Sequence, residues 1–250
     1  MSEDPLAGEN AFVTGASAGI GAATARLLAR EGANVALVAR REERLRDLAA
    51  EIEAEYGVET LVLQTDVSDH EQVEESVERA VEAFGGLDVV VSNAGINRMG
   101  DVEELSIKKY RQVMGVNVDG TYFVTRTVIP HLRESAGSLI YVGSFSGKYP
   151  RPGQALYAAT KWWTQGFALS LAGDVGLDDV AVTVVNPTEV MTEIGIQDGR
   201  PATERFEGKP AAAPEDVAEA IVFAAKQEPP NVVAELGFYR RNKFDEFRRP

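Results

Sequence analysis

Cysteine is absent from the 250-residue chain, and histidine and tryptophan occur only twice each. Without thiols there is no disulfide framework, no thiolate nucleophile and no cysteine-ligated zinc. His70 and His131 are far apart and have no ligand spacing, so no metal site is expected. No apolar run reaches the length of about eighteen residues that a membrane-spanning helix needs. The opening Met1-Ser2-Glu3-Asp4-Pro5 lacks the basic-then-apolar order of a secretory leader, and the expected setting is the cytoplasm. Positive charge is also scarce: 25 Lys and Arg face 39 Asp and Glu, a formal net charge of −14. That field repels polyphosphates, so nucleic-acid binding is not expected. Lysine is the rarer cation, 7 against 18 arginines. An acidic, lysine-poor surface fits either adaptation to high salt, which screens self-repulsion, or a GC-rich genome that favours arginine.

Hydrophobic residues make up 44% of the chain, and its length suits one large domain, 1–250, with a substantial core. Short apolar runs alternate with amphipathic stretches almost throughout, the pattern of a parallel sheet with helical crossovers. Expected strands are 11–13, 35–38, 60–63, 89–92, 138–142, 180–185 and 232–236. Most read as near-continuous β-branched runs, which indicates cover on both sheet faces. Expected helices include 22–30, 42–56 and 71–84. No repeat or low-complexity tract interrupts the series. Residues 191–214 are poor in periodicity and rich in Gly and Pro, which marks a loop. Residues 238–250 carry five cations and three phenylalanines and read as a tail docked on the body or on a neighbouring subunit.

Two local patterns carry chemistry. Thr14-Gly15-Ala16-Ser17-Ala18-Gly19-Ile20-Gly21 joins an expected strand to an expected helix. Its glycines allow a tight turn and close approach to a pyrophosphate, whose charge then meets the helix N-terminus. The spacing is G-x-x-x-G-x-G rather than G-x-G-x-x-G. Further on, Tyr157 and Lys161 stand four apart, with Ser144 thirteen residues upstream of the tyrosine. On a helix the pair shares a face. An ammonium there is expected to lower the phenol from its ordinary value of about 10.

Together, this glycine loop, Asn93-Ala94-Gly95, Asn117, Ser144 and Tyr157-x-x-x-Lys161 resemble the short-chain dehydrogenase/reductase family, in its order and spacing, over residues 9 to 237. The resemblance implies an α/β fold: a Rossmann-like, doubly wound parallel seven-stranded sheet with helices on both faces. It implies a hydride transfer between a nicotinamide cofactor and a small carbonyl or alcohol substrate. Tyr157 would be the general acid/base and Ser144 would position the substrate oxygen. Lys161 would tune the tyrosine and hold the nicotinamide ribose, and Asn117 would hold a water behind Lys161. Gly15, Ser17, Gly19, Ile20 and Gly21 would form the phosphate loop. Asp66 and Val67 would hold adenine, Asn93, Ala94 and Gly95 would approach the adenosine ribose, and Pro187, Val190 and Thr192 would meet the nicotinamide amide.

At the end of the second strand, where NAD-binding chains on this fold place a carboxylate for the ribose, the sequence reads Ala39-Arg40-Arg41. Without that carboxylate a 2′-phosphate is not repelled, and a guanidinium can fork onto it. NADP is therefore the expected cofactor, with NAD as the alternative; Ala18, where some NADP-dependent relatives carry a basic residue, points the other way. Asn186-Pro187-Thr188-Glu189-Val190-Met191-Thr192 departs from the family's Asn-Pro-Gly-x-Val-x-Thr at Thr188, and a β-branched residue at positive φ would alter that turn. The resemblance makes 188–213 the substrate-covering segment. Arg98, Lys148 and Arg151 near the entrance would suit a carboxylate, in keeping with the 3-hydroxy-acid and serine dehydrogenase subgroup that residues 214–230 resemble. It also implies a homotetramer. A redox-sensing regulator that binds NADP without turnover is the alternative function, although such relatives usually lack the tyrosine or lysine kept here. Nucleotide-sugar epimerases of this fold are longer.

Overall fold

Strands with apolar side chains on both faces must be covered on both, and five of the strands are buried along nearly their whole length. The protein is seen in a computed structural model that describes residues 4–194, 204 and 211–247. Seven strands, β1 Asn10–Thr14, β2 Asn34–Ala39, β3 Thr60–Gln64, β4 Val89–Ser92, β5 Ser138–Val142, β6 Ala181–Pro187 and β7 Glu235–Phe238, form one sheet in the order β3-β2-β1-β4-β5-β6-β7. Every pairing is parallel. The helices are α1 Gly19–Arg30, α2 Glu42–Tyr56, α3 His70–Phe84, α4 Ile107–Met114, α5 Gly120–Ser135, α6 Ala155–Val175 and α7 Pro214–Ala225. This is the doubly wound, Rossmann-like single domain expected from the sequence.

Alternate strand residues feed two cores. Val35 and Leu37 of β2 face α1, α2 and α7, whose Leu28, Leu45, Ile52 and Ile221 are buried. Ala36 and Val38 face the opposite side, where Val77 of α3 and Val128 and Leu132 of α5 pack. Each Leu or Ile removed from water contributes about 1.5–3 kcal/mol. Helix ends follow their local chemistry. The Asp69 side chain caps α3, accepting the Glu71 and Gln72 N–H groups at 3.1 and 3.3 Å. Gly57 and Gly85 end α2 and α3 in the left-handed region, where a Cβ would be strained. No helix among the described residues is long and apolar enough to cross a membrane.

Two element starts differ from expectation by three residues. Helix α1 begins at Gly19 rather than at residue 22, because the glycine loop runs directly into it. Strand β7 begins at Glu235 rather than at 232. Asn231 N–H turns back to the Glu228 carbonyl at 3.0 Å, and the ladder to β6 starts only where Val184 N–H meets the Ala234 carbonyl at 3.1 Å. Val232 stays exposed, so its β-branched side chain misled the pattern.

Beyond β7 the chain returns across the sheet end and docks. Tyr239 and Phe244 pack on Phe145 and Tyr149, with centroid separations from 4.4 to 6.3 Å within the group. Below the rings, Glu189 receives Arg151 at 3.1 Å, Arg240 at 3.1 Å and Lys243 at 2.6 Å. The Lys243 side chain is fully buried, its ammonium 4.9 Å from the Phe145 ring centre, a placement that aromatic faces favour. Burial alone would raise the Glu189 carboxyl, but the Lys243 hydrogen bond, a backbone hydrogen bond and the Lys243 and Arg240 charges bring it down to about 2. A depressed carboxyl stabilises the fold above its unfolded pKa and loses that contribution as pH falls through the folded one. Glu189→Gln takes from Arg151, Arg240 and Lys243 the carboxylate they share and should cost about 3 kcal/mol at pH 7, a drop in Tm of about 6–12 °C. The gap between parent and variant should narrow from pH 4.5 toward 2. Equal melting temperatures at pH 7 would show that the hub is not holding the tail.

Candidate active site

Strand order reverses between β1 and β4, so their connections leave in opposite directions and a crevice opens beyond their carboxyl ends. Here lies a cleft of about 390 Å³. Its floor is stitched: Thr14 Oγ1 accepts the N–H groups of Asn93 and Ala94 at 3.0 Å each, and Asn93 Nδ2 donates to the Thr14 carbonyl at 2.8 Å. Above it, α1 starts with no side-chain cap at Ala18 and no acid in its first turn. The unsatisfied N–H groups and the positive end of the helix dipole therefore face the cleft. Gly15 and Gly19 lie at φ +69° and +56°, and a Cβ would come within 2.7 Å of Asn93 Nδ2 at the first and 2.9 Å of the Thr192 methyl at the second. The result is an anion cradle of bare backbone, and it fits a pyrophosphate.

One end of the cleft is ionic. Ala39 closes β2 without a carboxylate, as read from sequence. Arg41 donates through Nε to Ser17 Oγ at 3.0 Å and through a terminal nitrogen to Glu193 at 2.7 Å. Arg44 donates to both Glu193 oxygens, at 2.8 and 3.0 Å. The hydrogen bonds from Arg41 and Arg44 hold the Glu193 carboxyl below its ordinary value. Arg40 stands 3.7 Å from Asp66, whose other oxygen accepts the Ser68 N–H and O–H at 3.1 and 2.7 Å. The sequence reading missed Arg44 and Glu193. Arg44 was signalled by its place one turn after Arg41; nothing local signals Glu193, which arrives from beyond β6.

At the other end, Tyr157 and Lys161 lie on the first turns of α6, with the ammonium 5.9 Å from the phenol ring centre. Lys161 Nζ donates to the Val142 carbonyl at 2.7 Å. Ser144 follows β5, its N–H held by Asn186 Oδ1 at 3.0 Å and its Oγ accepting the Ser146 N–H at 3.1 Å. Asn117 sits in a one-turn π-helical segment, Gly115–Asp119, between α4 and α5, an insertion common at functional sites. Its amide grips Ile96 on both sides, accepting N–H at 2.8 Å and donating to C=O at 2.9 Å, and also donates to Thr160 at 3.0 Å. Asn117 Oδ1 and Lys161 Nζ flank Gly95, each under 4 Å from where its Cβ would be.

The expectation that Lys161 lowers Tyr157 is corrected here. Burial raises the Tyr157 phenol, with the Ser144 side chain and the Arg151 charge acting in the opposite sense. Burial also brings Lys161 down to about 8. Desolvation disfavours the charged form of each.

Most of the expected cofactor residues line the cleft: Gly15, Ser17, Gly19 and Ile20 of the loop, Arg40 and Arg41, Asp66 and Val67, Asn93 to Gly95, and Thr192. Gly21, Pro187 and Val190 are not on its surface; Gly21 lies against the Gly15 carbonyl, and Val190 bridges Ala212. Neither Tyr157 nor Lys161 lines the cleft; Lys161 adjoins it at Gly95. Thr188 does not take positive φ; outside glycine, only Ala136 and Asp179 do among the described residues. Its N–H bonds the Phe238 carbonyl at 3.1 Å, which continues the β6–β7 ladder and suits a β-branched residue. Its hydroxyl is buried without a partner. The entrance cations are engaged: Lys148 pairs with Glu235 and Arg151 with Glu189, while Arg98 donates to the neutral Asn97 carbonyl at 3.1 Å. Residues 195–203 and 205–210 of the expected substrate segment lie outside the described residues.

Comparison with known proteins agrees with this geometry. Trans-4-hydroxycyclohexanecarboxylate dehydrogenase of Sinomonas cyclohexanicum is 33% identical over 230 residues, covering 90% of this chain and 88% of the relative. A glycine betaine reductase of Emericella nidulans is 34% identical over 91% of this chain, which spans only 18% of that larger protein. A short-chain dehydrogenase from Burkholderia cenocepacia, solved in complex with NADP, superposes with a TM-score of 0.85 at 34% identity, covering 94% of this chain and 98% of that one. The family model for short chain dehydrogenases matches residues 9–201. That span takes in the glycine loop, the cleft and the tyrosine–lysine pair, and the protein belongs to the short-chain dehydrogenase family.

Proposed function

We propose that the chain is an NADP(H)-preferring oxidoreductase that interconverts a small carbonyl compound and its alcohol, with Tyr157 as general acid/base. The observation that carries this reading is the placement of a partly buried phenol beside Ser144 and Lys161 at one end of a cleft whose middle is an anion cradle. A bound nicotinamide supplies the hydride; the side chains supply position and the proton. Ser144 and Tyr157 present two hydroxyls to one substrate oxygen. The raised phenol stays protonated at neutral pH and donates to the carbonyl oxygen in reduction, or accepts from the alcohol in oxidation. Such assistance is worth about 10²–10⁴-fold. Lys161 and Asn117, meeting at Gly95, are placed to hold the nicotinamide ribose and a proton route behind the tyrosine. Pro187, Val190 and Thr192 would lie toward the nicotinamide amide, Asp66 and Val67 toward adenine, and Asn93 and Ala94 toward the adenosine ribose.

The missing carboxylate at Ala39, with Arg40 and Arg41 on the cleft, supports NADP over NAD. Arg98, a cleft residue without a carboxylate within 4.0 Å among the described residues, supports a substrate bearing a carboxylate, with segment 188–213 covering it. The Sinomonas relative, named for a hydroxy-carboxylate, is in keeping with that. Tyr122 on α5 and Trp162 and Leu169 on α6 remain about half exposed, which supports assembly through these helices into a homotetramer.

A panel of carbonyls and alcohols, hydroxy acids included, assayed with both cofactors at the reduced-nicotinamide absorbance band tests the reading as a whole. Tyr157→Phe should lower turnover at least a hundredfold while NADPH binding by fluorescence titration changes little; residual turnover above about a tenth would assign the proton to another group. Arg40→Ala should weaken NADPH about tenfold or more, the loss of a charged hydrogen bond, and NADH far less. Equal weakening would make Arg40 structural. Lys161 offers a test without cofactor. Its pKa falls from 10.5 unfolded to about 8 folded, so burying the ammonium costs stability below pH 8, and the cost is relieved as pH rises toward 10.5. In denaturant melts the parent should gain on Lys161→Met across that window. A constant difference would show that Lys161 does not titrate there.

A further inference from the structure

The cluster of Ser17, Arg41, Arg44 and Glu193 has the composition of a phosphate site already occupied by an internal carboxylate. Arg41 touches both the phosphate loop, through Ser17, and Glu193; Arg44 forks onto the two Glu193 oxygens. These residues come from three separated parts of the chain, and Arg41, Ser17 and Glu193 all line the cleft. The three charged side chains are each nearly half exposed, 45–49%, so the pairs are weak and exchangeable.

We propose that Glu193 is a specificity-determining residue that competes with the cofactor's 2′-phosphate for Arg41 and Arg44, and so restrains NADP affinity without touching NAD affinity. This rests on the reading of the site as a nicotinamide cofactor cleft. A phosphate monoester carries close to two negative charges at neutral pH, against one for a carboxylate, and takes guanidinium forks at least as well. It therefore wins the exchange, but not for nothing. Two ion pairs must first break, and the displaced carboxylate remains near the incoming phosphate as a like charge. A cofactor ending in a free 2′-hydroxyl asks for no exchange, and both pairs stay intact. Arg41 and Arg44 thus act through Glu193 as a counter-ion that is either kept or replaced, and the net preference is set by the difference.

The test is equilibrium binding to the full-length protein, independent of turnover. NADPH and NADH are titrated by fluorescence, and adenosine 2′,5′-bisphosphate against adenosine 5′-monophosphate by calorimetry. Glu193→Gln should tighten NADPH and the bisphosphate about three- to tenfold, the worth of two exposed ion pairs, and leave NADH and the monophosphate within twofold. In an Arg44→Ala background the gain should shrink, because one of the competed cations is gone. Thermal melts of each cofactor-free variant establish that it is folded; Glu193→Ala repeats the measurement if the glutamine variant is not. An unchanged NADPH-to-NADH ratio overturns the inference, and so does selective loss of NADH, which would make Glu193 a ribose ligand. The two readings fail separately. If the parent prefers NADH and Glu193→Gln still shifts the ratio toward NADPH, the competition stands and the NADP preference falls. If the parent prefers NADPH and the ratio does not move, the preference stands and the competition falls.

Discussion

Thr14 and Asn93, at the ends of two neighbouring strands, hold each other through a hydroxyl that accepts two backbone N–H groups and an amide that donates to a carbonyl. Every feature of the cleft depends on that stitch. Just past it the chain leaves β1 toward α1 and leaves β4 toward the opposite face, so the stitch fixes where the sheet stops and the crevice starts. Gly15 is pressed against Asn93 Nδ2 so closely that no Cβ fits, and this brings the glycine loop and the start of α1 down onto the crevice. Asn93-Ala94-Gly95 then leads to Ile96, which Asn117 grips, and Gly95 is where Lys161 meets the cleft. The anion cradle and the Tyr157–Lys161 end are thereby set relative to each other through a few residues of stiff backbone rather than through flexible side chains.

Burial governs the charge of the Tyr157–Lys161 end of the site. A phenol and an ammonium near each other in water would be expected to stabilise phenolate. Out of water, each loses more hydration than the neighbour returns, and the tyrosine rises while the lysine falls. A raised phenol suits a proton donor.

What the sequence made legible was local or periodic. Two-sided β-branched runs named the strands because burial on both faces leaves no polar position to confuse the pattern. The glycine loop and the Tyr157–Lys161 spacing were legible because each lies within a single turn or a single helix. Strand β7 was read three residues early, since Val232 and Val233 have strand-like side chains but hydrogen bonding to β6 begins only at Ala234. The Glu193–Arg41–Arg44 pairing and the Glu189 hub were invisible because their partners lie on average far apart in the chain, Arg41 and Glu193 by 152 positions, and any of the 39 acids could have served on composition alone. The tyrosine shift was misjudged for a related reason: spacing gives proximity, and proximity without burial gives the wrong sign.

Those illegible pairings follow one pattern. Glu189, Glu193 and Glu235 all come from the β6–β7 side of the molecule, and between them they hold Arg151, Arg240, Lys243, Arg41, Arg44 and Lys148. In a chain of net charge −14, cations are scarce, and these six are fixed by dedicated acids instead of being left to any passing anion. The Glu189 group is largely buried and anchors the tail; taking the acid from it would be costly. The Glu193 group is half exposed and can trade partners cheaply. Depth alone thus divides one chemical motif into a structural use and an exchangeable one. An anion can enter where the carboxylate is exposed, and it is excluded where the carboxylate is buried.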